Sequence, residues 1–169
     1  MTFHFVTGAL AALAATTMLA APAGAETLRL NHNLPDNSVT GKVFDAFAAR
    51  VEELTDGALK IRVFHAGQLG GQRESIELVQ QGALDIAKTN AAEMEAFIPL
   101  YAALNLPFIF TSPEHVMRVL QGEAGDKILA AGAETGLVGL GPLYEGCRSF
   151  YTTEPASALA DLAGRKIRV

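Results

Sequence analysis

Basic residues that could bind an anion are concentrated near the carboxyl end of this chain. Residues 148–169 carry a surplus of positive charge, whereas residues 26–147 contain nine basic and sixteen acidic residues. The basic residues of the surplus are Arg148, Arg165, Lys166 and Arg168. A guanidinium group presents a planar fork of N–H donors that matches the two oxygens of a carboxylate. Residues 148–169 are therefore where we expect a small anion to find positive charge.

Arg168 lies between Ile167 and Val169, in an alternating segment that predicts the start of a strand. Successive side chains of a strand point to opposite faces, so Arg168 should face away from these two apolar neighbours. This is the placement that a ligand-binding arginine needs. Taken alone, the pattern fits a solvent-exposed or ion-paired strand arginine equally well. Lys166 shares the predicted face of Arg168, and surface exposure is the better explanation for it.

The sequence carries no recognisable set of catalytic or metal-binding residues. It has no P-loop, no G-x-S-x-G turn and no H-E-x-x-H helix. His32, His65 and His115 lie far apart and share no ligand spacing, so we interpret them as surface or loop histidines. Cys147 has no accompanying catalytic motif and is interpreted as an inert small residue. We predict that the protein is not an enzyme and uses no metal and no cofactor.

Composition excludes several other classes. The 169 residues suit one domain, or one domain and a small part of another. Half of the residues are hydrophobic and 18% are charged, which is not the composition of a disordered chain. A net charge of −5 argues against nucleic-acid binding, which usually needs a basic surplus. The single Cys rules out an intrachain disulfide framework.

Residues 1–25 are predicted to be a cleaved signal peptide. They contain no charged side chain, and an Ala-rich apolar run precedes Ala23-Gly24-Ala25, a small-residue site of the kind that signal peptidase cleaves. The mature chain would begin at Glu26 and be exported and soluble. The first residues lack the usual Lys or Arg, so the α-amino group supplies the positive charge or the start codon is misplaced. A retained membrane anchor is disfavoured because Ala and Gly are only weakly apolar.

Strands and helices alternate along the mature chain. Apolar alternation and uncharged runs predict strands at 27–32, 59–64, 84–89, 137–144 and 148–152, and a further strand that begins at 166. Helical spacing and end signals predict helices at 39–56, 72–82, 91–100, 113–121 and 125–135. In the first helix, Val43, Phe47, Val51 and Leu54 share a face that we expect to be buried. This alternation predicts an α/β fold with a mainly parallel sheet.

Six short motifs follow one another in a fixed order. They are T-x-G, G-Q-L-G, R-E-x-x-E-x-V-Q-x-G-x-L-D, L-P-F, G-x-R and D-L-x-G-x-K-I-R-V, at residues 55–57, 67–70, 73–85, 106–108, 146–148 and 161–169. Each motif alone is short, and the specificity lies in their order and spacing. Together they resemble the DctP-type solute-binding proteins of TRAP (tripartite ATP-independent periplasmic) transporters, and the resemblance covers the whole mature chain.

The resemblance implies a two-lobed α/β fold, like a type II periplasmic binding protein, with the ligand between the lobes. After the signal peptide at 1–25, it implies that 26–145 form the first lobe and that 146–169 form the crossover and the first strand of the second lobe. Family members are much longer, so we expect a first lobe and only the start of a second. A truncated record is the favoured explanation, and a genuinely short protein is the alternative.

The resemblance also implies site residues. In the family, the Arg of the K-I-R-V strand grips the ligand carboxylate and the Arg of G-x-R assists, and these roles transfer to Arg168 and Arg148. Asn33, Gln72 and Asn90 match positions that line the cleft in some members. For each of these three, loop capping by a polar side chain is an equally good explanation.

The function implied by the resemblance is that of a periplasmic receptor. It would capture a small organic-acid anion and deliver it to the TRAP membrane permease subunits, which an ion gradient drives without ATP. Two alternatives stay open from the sequence. The same fold could serve as a ligand-sensing module for a signalling partner, or the chain could be a fragment that cannot close a cleft.

Overall fold

The computed structural model describes residues 24–146 and 151–166. Within these residues, three parallel strands form one sheet: β1 (Glu26–Asn31), β2 (Leu59–Phe64) and β3 (Ile86–Ala87), in the order β2-β1-β3. β1 lies in the centre and pairs with β2 from Glu26↔Leu59 to Asn31↔Phe64. The predicted α/β class and parallel sheet are confirmed. Because all three strands run in one direction, their carboxyl ends meet at one edge.

Two helices connect these strands. α1 (Val39–Leu54) joins β1 to β2, and α2 (Gln72–Gln80) joins β2 to β3. The hydroxyl of Ser38 accepts a hydrogen bond from the Gly41 N–H at 3.0 Å, which caps the first turn of α1. After α2, Gly82 adopts φ 71°, the left-handed conformation that glycine tolerates best at a helix end. These end signals explain why both helices lie where the sequence predicts them.

β3 is shorter than the predicted strand at 84–89. It pairs with β1 at Leu30↔Ile86 and Asn31↔Ala87. One position earlier, a carboxylate oxygen of Asp85 accepts the backbone N–H of Arg29 at 2.7 Å. A side chain therefore takes the place of a main-chain partner, and the regular ladder begins only after Asp85.

The segment after β3 is mostly helical. It contains α3 (Ala91–Met94), α4 (Pro113–Leu120) and α5 (Glu123–Ala130), with 3-10 turns at Pro99–Asn105, Ala133–Thr135 and Leu159–Leu162. The prediction of one helix at 91–100 is wrong, because Pro99 cannot donate a backbone hydrogen bond and disfavours helical geometry at the residue before it. Ile98 accordingly has φ −134° and ψ 97°. The helix predicted at 125–135 begins earlier and ends at Ala130.

The predicted strand at 137–144 is wrong, because these residues are irregular. A Cβ built on Gly139 would lie 2.7–2.8 Å from the Cδ2, Cα and carbonyl oxygen of Leu129. The segment therefore packs its backbone directly against α5 and joins no sheet. Of the predicted strand at 148–152, residues 148–150 lie outside the described residues, and 151–152 are irregular. The strand predicted from 166 also lies outside them, apart from Lys166.

The hydrophobic core of the described residues lies between the sheet and its helices. Leu30, Ile76, Leu84, Ile98 and Ile128 are its buried apolar side chains. The prediction for α1 is wrong in part, because Val43, Phe47 and Leu54 remain 43%, 38% and 66% exposed. Helical periodicity identifies an apolar face, but no described element covers this one fully. Over residues 24–146 and 151–166, we find no helix with the length and apolar character that crossing a membrane requires.

Candidate functional site

A cluster of polar side chains lies at the carboxyl edge of the sheet. β1 ends there at Asn31 and is followed by His32, β2 is followed by His65, and β3 is followed by Lys88 and Asn90. The order β2-β1-β3 means that the chain goes from β1 to β2 on one side and then crosses over to β3 on the other side of β1, so the strand order reverses between β1 and β3. In open α/β sheets, ligands bind at the carboxyl edge where the strand order reverses in this way. The topology therefore points to the edge shared by β1 and β3.

Lys88 is the central cation of this edge. Its side chain is only 8% exposed, and its ammonium contacts Glu145 Oε2 at 2.5 Å. It also donates a hydrogen bond to Asn90 Oδ1 at 2.9 Å. The other carboxylate oxygen of Glu145 accepts the hydroxyl of Thr40 at 2.8 Å. A buried charge is stable only when it is paired and hydrogen-bonded, and both conditions hold for this lysine.

Gln72 and Asn90, both predicted from the sequence, are brought together. Gln72 Oε1 accepts the backbone N–H of Asn90 at 2.7 Å. Asn90 Oδ1 accepts from Lys88, so the carbonyl oxygen of each carboxamide already has a partner. Within the described residues, neither side-chain NH₂ group donates a hydrogen bond, and both side chains are half-buried. The pair can therefore offer two N–H donor groups to a bound molecule.

The other predicted site residues are placed less directly. Asn33 is exposed in the loop between β1 and α1, and no hydrogen bond joins it to Gln72 or Asn90. Arg148 and Arg168 lie outside the described residues. Glu145 is described and precedes Arg148 by three positions in the sequence. The chain segment that leads to Arg148 is thus fixed at the candidate site by the contacts of Glu145 with Lys88 and Thr40.

Asn31 positions the loop that leads into α2. Its side-chain amide donates to the Gly70 carbonyl at 3.0 Å and to the Ser75 hydroxyl at 2.8 Å. Its Oδ1 accepts the Leu69 N–H at 3.3 Å. This buried amide is occupied by the protein itself, so its role is to hold the G-Q-L-G loop, and with it the start of α2, against β1. Gln72 lies at that start.

His32 and His65 form a hydrogen-bonded pair; both follow strands in loops, as interpreted from the sequence, but His32 is buried and does not lie on the surface. His32 is 1% exposed, and the Leu34 N–H donates to its Nδ1 at 3.3 Å. The ring proton of His32 must therefore lie on Nε2, which donates to His65 Nδ1 at 2.9 Å. His65 Nε2 in turn faces Asp45 Oδ1 at 3.4 Å. Sequence spacing missed the pair because parallel strands bring together residues that lie far apart in the chain.

The pKa of His32 is lowered from 6.5, chiefly by burial, with further lowering from the charges of His65 and Lys88. Asp45 and Glu145 oppose this shift. The neutral ring is also the form that the hydrogen bond from Leu34 requires. No group of three or more potential metal ligands occurs in the part of the chain that the structure describes.

Three further residues of the site were not predicted from the sequence: Lys88, Glu145 and Thr40. Lys88 had a usable signal, because it is the one basic residue at the end of an otherwise mostly apolar predicted strand. Glu145 and Thr40 had none. They are 105 positions apart, and only the fold makes them hydrogen-bond partners.

The fold and this edge define an α/β protein of the solute-binding class. The family model described as bacterial extracellular solute-binding protein, family 7 (DctP), matches residues 30–169. The chain belongs to this family, which consists of transport receptors and not of enzymes, and the sequence-based assignment is confirmed.

Individual relatives agree with this assignment. A solute-binding protein of Chromohalobacter salexigens is 38% identical over 136 residues, which are 80% of this chain and 40% of the relative. A TRAP periplasmic solute-binding protein of Xanthobacter autotrophicus, solved with bound β-D-galacturonate, is 37% identical and superposes with a TM-score of 0.77. The match covers 80% of this chain and 45% of the relative. A counterpart from Sulfurospirillum deleyianum, solved with succinate, is 34% identical with a TM-score of 0.61, covering 66% and 36%. The chain thus spans less than half the length of these relatives.

Proposed function

We propose that this protein is a periplasmic receptor that captures a small organic-acid anion and delivers it to a TRAP-type membrane permease. The observation that carries the proposal is the pair of free carboxamide donor groups, Gln72 and Asn90, at the strand-order reversal of a chain of this family. The structural relatives above carry β-D-galacturonate and succinate, and both ligands are carboxylates. A small carboxylate is therefore the proposed ligand class.

In the proposed site, Arg168 holds the ligand carboxylate and Arg148 assists it. Asn33, Gln72 and Asn90 contribute polar contacts from the lobe that contains β1–β3. A hydrogen bond to a charged group contributes about 1.5–3 kcal/mol, whereas micromolar affinity needs about 8 kcal/mol in total. One arginine therefore supplies a large share of the binding free energy, and the carboxamides and apolar contacts must supply the rest.

The test is an Arg168→Lys substitution in the full gene product, with calorimetric titration of D-galacturonate, D-glucuronate and succinate. Lysine keeps the charge but loses the two-pronged geometry, so we expect affinity for the bound acid to fall by about ten- to a hundredfold. Arg165→Lys is the matched control, because Arg165 already donates to the Glu154 carbonyl at 3.1 Å. Equal affinity in Arg168→Lys and the wild type would remove Arg168 from the site.

The proposed location is the periplasm, reached through cleavage after Ala25. Cleavage there would leave β1 whole, because Glu26 is its first residue and the Glu26 N–H donates to the Ala58 carbonyl at 2.9 Å. Intact-mass analysis of protein from the periplasmic fraction should give a chain that begins at Glu26. A chain that retains residues 1–25 in the membrane fraction would contradict the proposal.

Delivery to a permease has a separate test. Deletion of the gene should abolish uptake of the bound acid by intact cells, and restoring the gene should recover it. Uptake that is unchanged in the deletion strain, for an acid that the purified protein binds, would favour the sensing alternative.

A further inference from the structure

Lys88 settles the orientation of the Asn90 carboxamide. An ammonium group can only donate hydrogen bonds, so the group of Asn90 that faces it must be the carbonyl oxygen, as the 2.9 Å contact between Nζ and Oδ1 shows. The NH₂ group of Asn90 is then directed away from Lys88. Without the ammonium, the carboxamide could rotate by half a turn and present its oxygen instead.

Gln72 is oriented by the same logic. The backbone N–H of Asn90 is a donor, so Gln72 must present its carbonyl oxygen to it, at 2.7 Å. The two carboxamides therefore use both of their acceptors within the protein. What they leave for a ligand is a pair of donors.

The positive charge of Lys88 is neutralised by a neighbouring carboxylate and is not available to a ligand. Glu145 lies against the ammonium at 2.5 Å, and Thr40 holds the second oxygen of that carboxylate. Lys88 is also almost fully buried, at 8% exposure. Its ammonium is thus placed to orient a neighbour and not to bind an anion directly.

We propose that Lys88 is a positioning residue: it fixes the Asn90 carboxamide so that its NH₂ group faces the ligand. Together with the NH₂ group of Gln72, this gives a pair of neutral N–H donors. The pair selects acids that carry an acceptor oxygen away from the bound carboxylate. This inference rests on the proposed function. Hydroxyl groups and a second carboxylate are suitable acceptors, whereas an alkyl chain is not. A ligand without such an acceptor would leave both N–H groups unpaired, and sites built to hydrogen-bond a ligand group reject analogues that lack it.

The experiment is a double-mutant cycle with Lys88→Met and Asn90→Ala in the full gene product, titrated with D-galacturonate, succinate and hexanoate. Each single substitution should weaken binding of the better of the first two acids by about tenfold, a loss typical of one hydrogen bond. The double variant should lose no more than either single one, because both remove the same donor. Lys60→Met, at an exposed lysine paired with Glu52, is the matched control and should bind normally.

Asn90→Asp separates positioning from folding. The carboxylate still accepts from Lys88, so the thermal midpoint should hold, but it has no N–H to donate and it repels an anion, so affinity should fall at least as far as in Asn90→Ala. Because normal affinity of this variant would exclude Asn90 as a donor to the ligand, the inference stays falsifiable even if Lys88→Met does not fold. Three outcomes would overturn this inference but leave the proposed function standing. They are additive losses in the cycle, normal affinity of Asn90→Asp, and wild-type affinity for hexanoate equal to that for the oxygenated acids. A wild type that binds none of the acids would overturn the proposed function, and this inference with it.

Discussion

At the scale of single residues, the candidate site depends on which polar atoms are already occupied. Asn31 resembles a ligand contact by position, since it ends the central strand, but its amide is committed to the loop before α2. Asn90 and Gln72 have their oxygens committed and their nitrogens available. Amides of the same chemistry therefore have opposite roles, and the difference lies in their partners. Residue type and position predict candidates, but only hydrogen-bond accounting separates structural from binding amides.

The buried ring of His32 predicts how stability depends on pH. The pKa of His32 is lowered from 6.5 in the folded protein, so the unfolded chain takes up a proton at this residue at higher pH than the folded chain does. The stability that the neutral ring contributes is fully present above about pH 6.5 and is lost as the pH falls through the lowered folded pKa. The charges of His65 and Lys88 add to this lowering of the pKa, and those of Asp45 and Glu145 oppose it.

Urea denaturation between pH 8 and pH 5 measures this effect. The wild type should lose stability below pH 6.5, and His32→Gln should lose less over the same interval, because glutamine can still donate towards His65 but does not titrate. At pH 8 the variant should be less stable by about 1–3 kcal/mol, the cost of disturbing a buried hydrogen bond. His115→Gln, in the first turn of α4, is the control. Parallel pH profiles for the wild type and His32→Gln would rule out this role.

At the scale of elements, local signals predicted those parts of the fold that are decided locally. Ser38, Ser112 and Gly82 mark helix ends because capping involves residues within one turn. The alternation in β1 and β2 was likewise sufficient. The strand prediction for 137–144 was wrong because alternating apolar residues suit any extended backbone. Whether such a segment joins a sheet depends on a neighbouring strand, which no local pattern encodes.

The close packing of this segment on α5 gives a prediction for Gly139→Ala. A methyl group there would meet the Cα and carbonyl oxygen of Leu129 at 2.8 Å, and backbone atoms cannot move aside cheaply. We expect destabilisation of about 1–3 kcal/mol, as for other overpacked sites. Gly141→Ala is the matched control, because nothing lies within 4 Å of its added methyl group. Equal urea midpoints for the two variants would show that the segment is not held by this contact.

At the scale of the whole molecule, the ordered motifs predicted the family, but individual patterns could not predict which surfaces of the elements pack together. The apolar face of α1 shows the limit, because periodicity marks a face for burial without saying what buries it. The same limit applies to the contacts that join Lys88, Glu145 and Thr40. These residues come from the end of β3, from the irregular segment and from α1, and their meeting is a property of the assembled fold.

The contacts of Glu145 with Lys88 and Thr40 join segments that are far apart in the chain, so their loss should lower the stability of the fold. Glu145→Ala removes the partner of a cation that is 8% exposed and also deprives Thr40 of its acceptor. An uncompensated buried charge is costly, although Glu145 itself is 31% exposed and water can reach part of the pair. We therefore expect a loss of about 1–3 kcal/mol in the free energy of unfolding, measured by urea denaturation.

Two further variants identify the origin of that loss. Glu53→Ala breaks an ion pair with Arg50 whose side chains are 69% and 59% exposed, and it should cost well under 1 kcal/mol. Lys88→Met in the Glu145→Ala background removes the unpaired charge, so it should restore part of the lost stability. If the double variant is instead less stable than Glu145→Ala by the full cost of Lys88→Met alone, the two residues act independently, and the segment before Arg148 is fixed by packing and not by this ion pair.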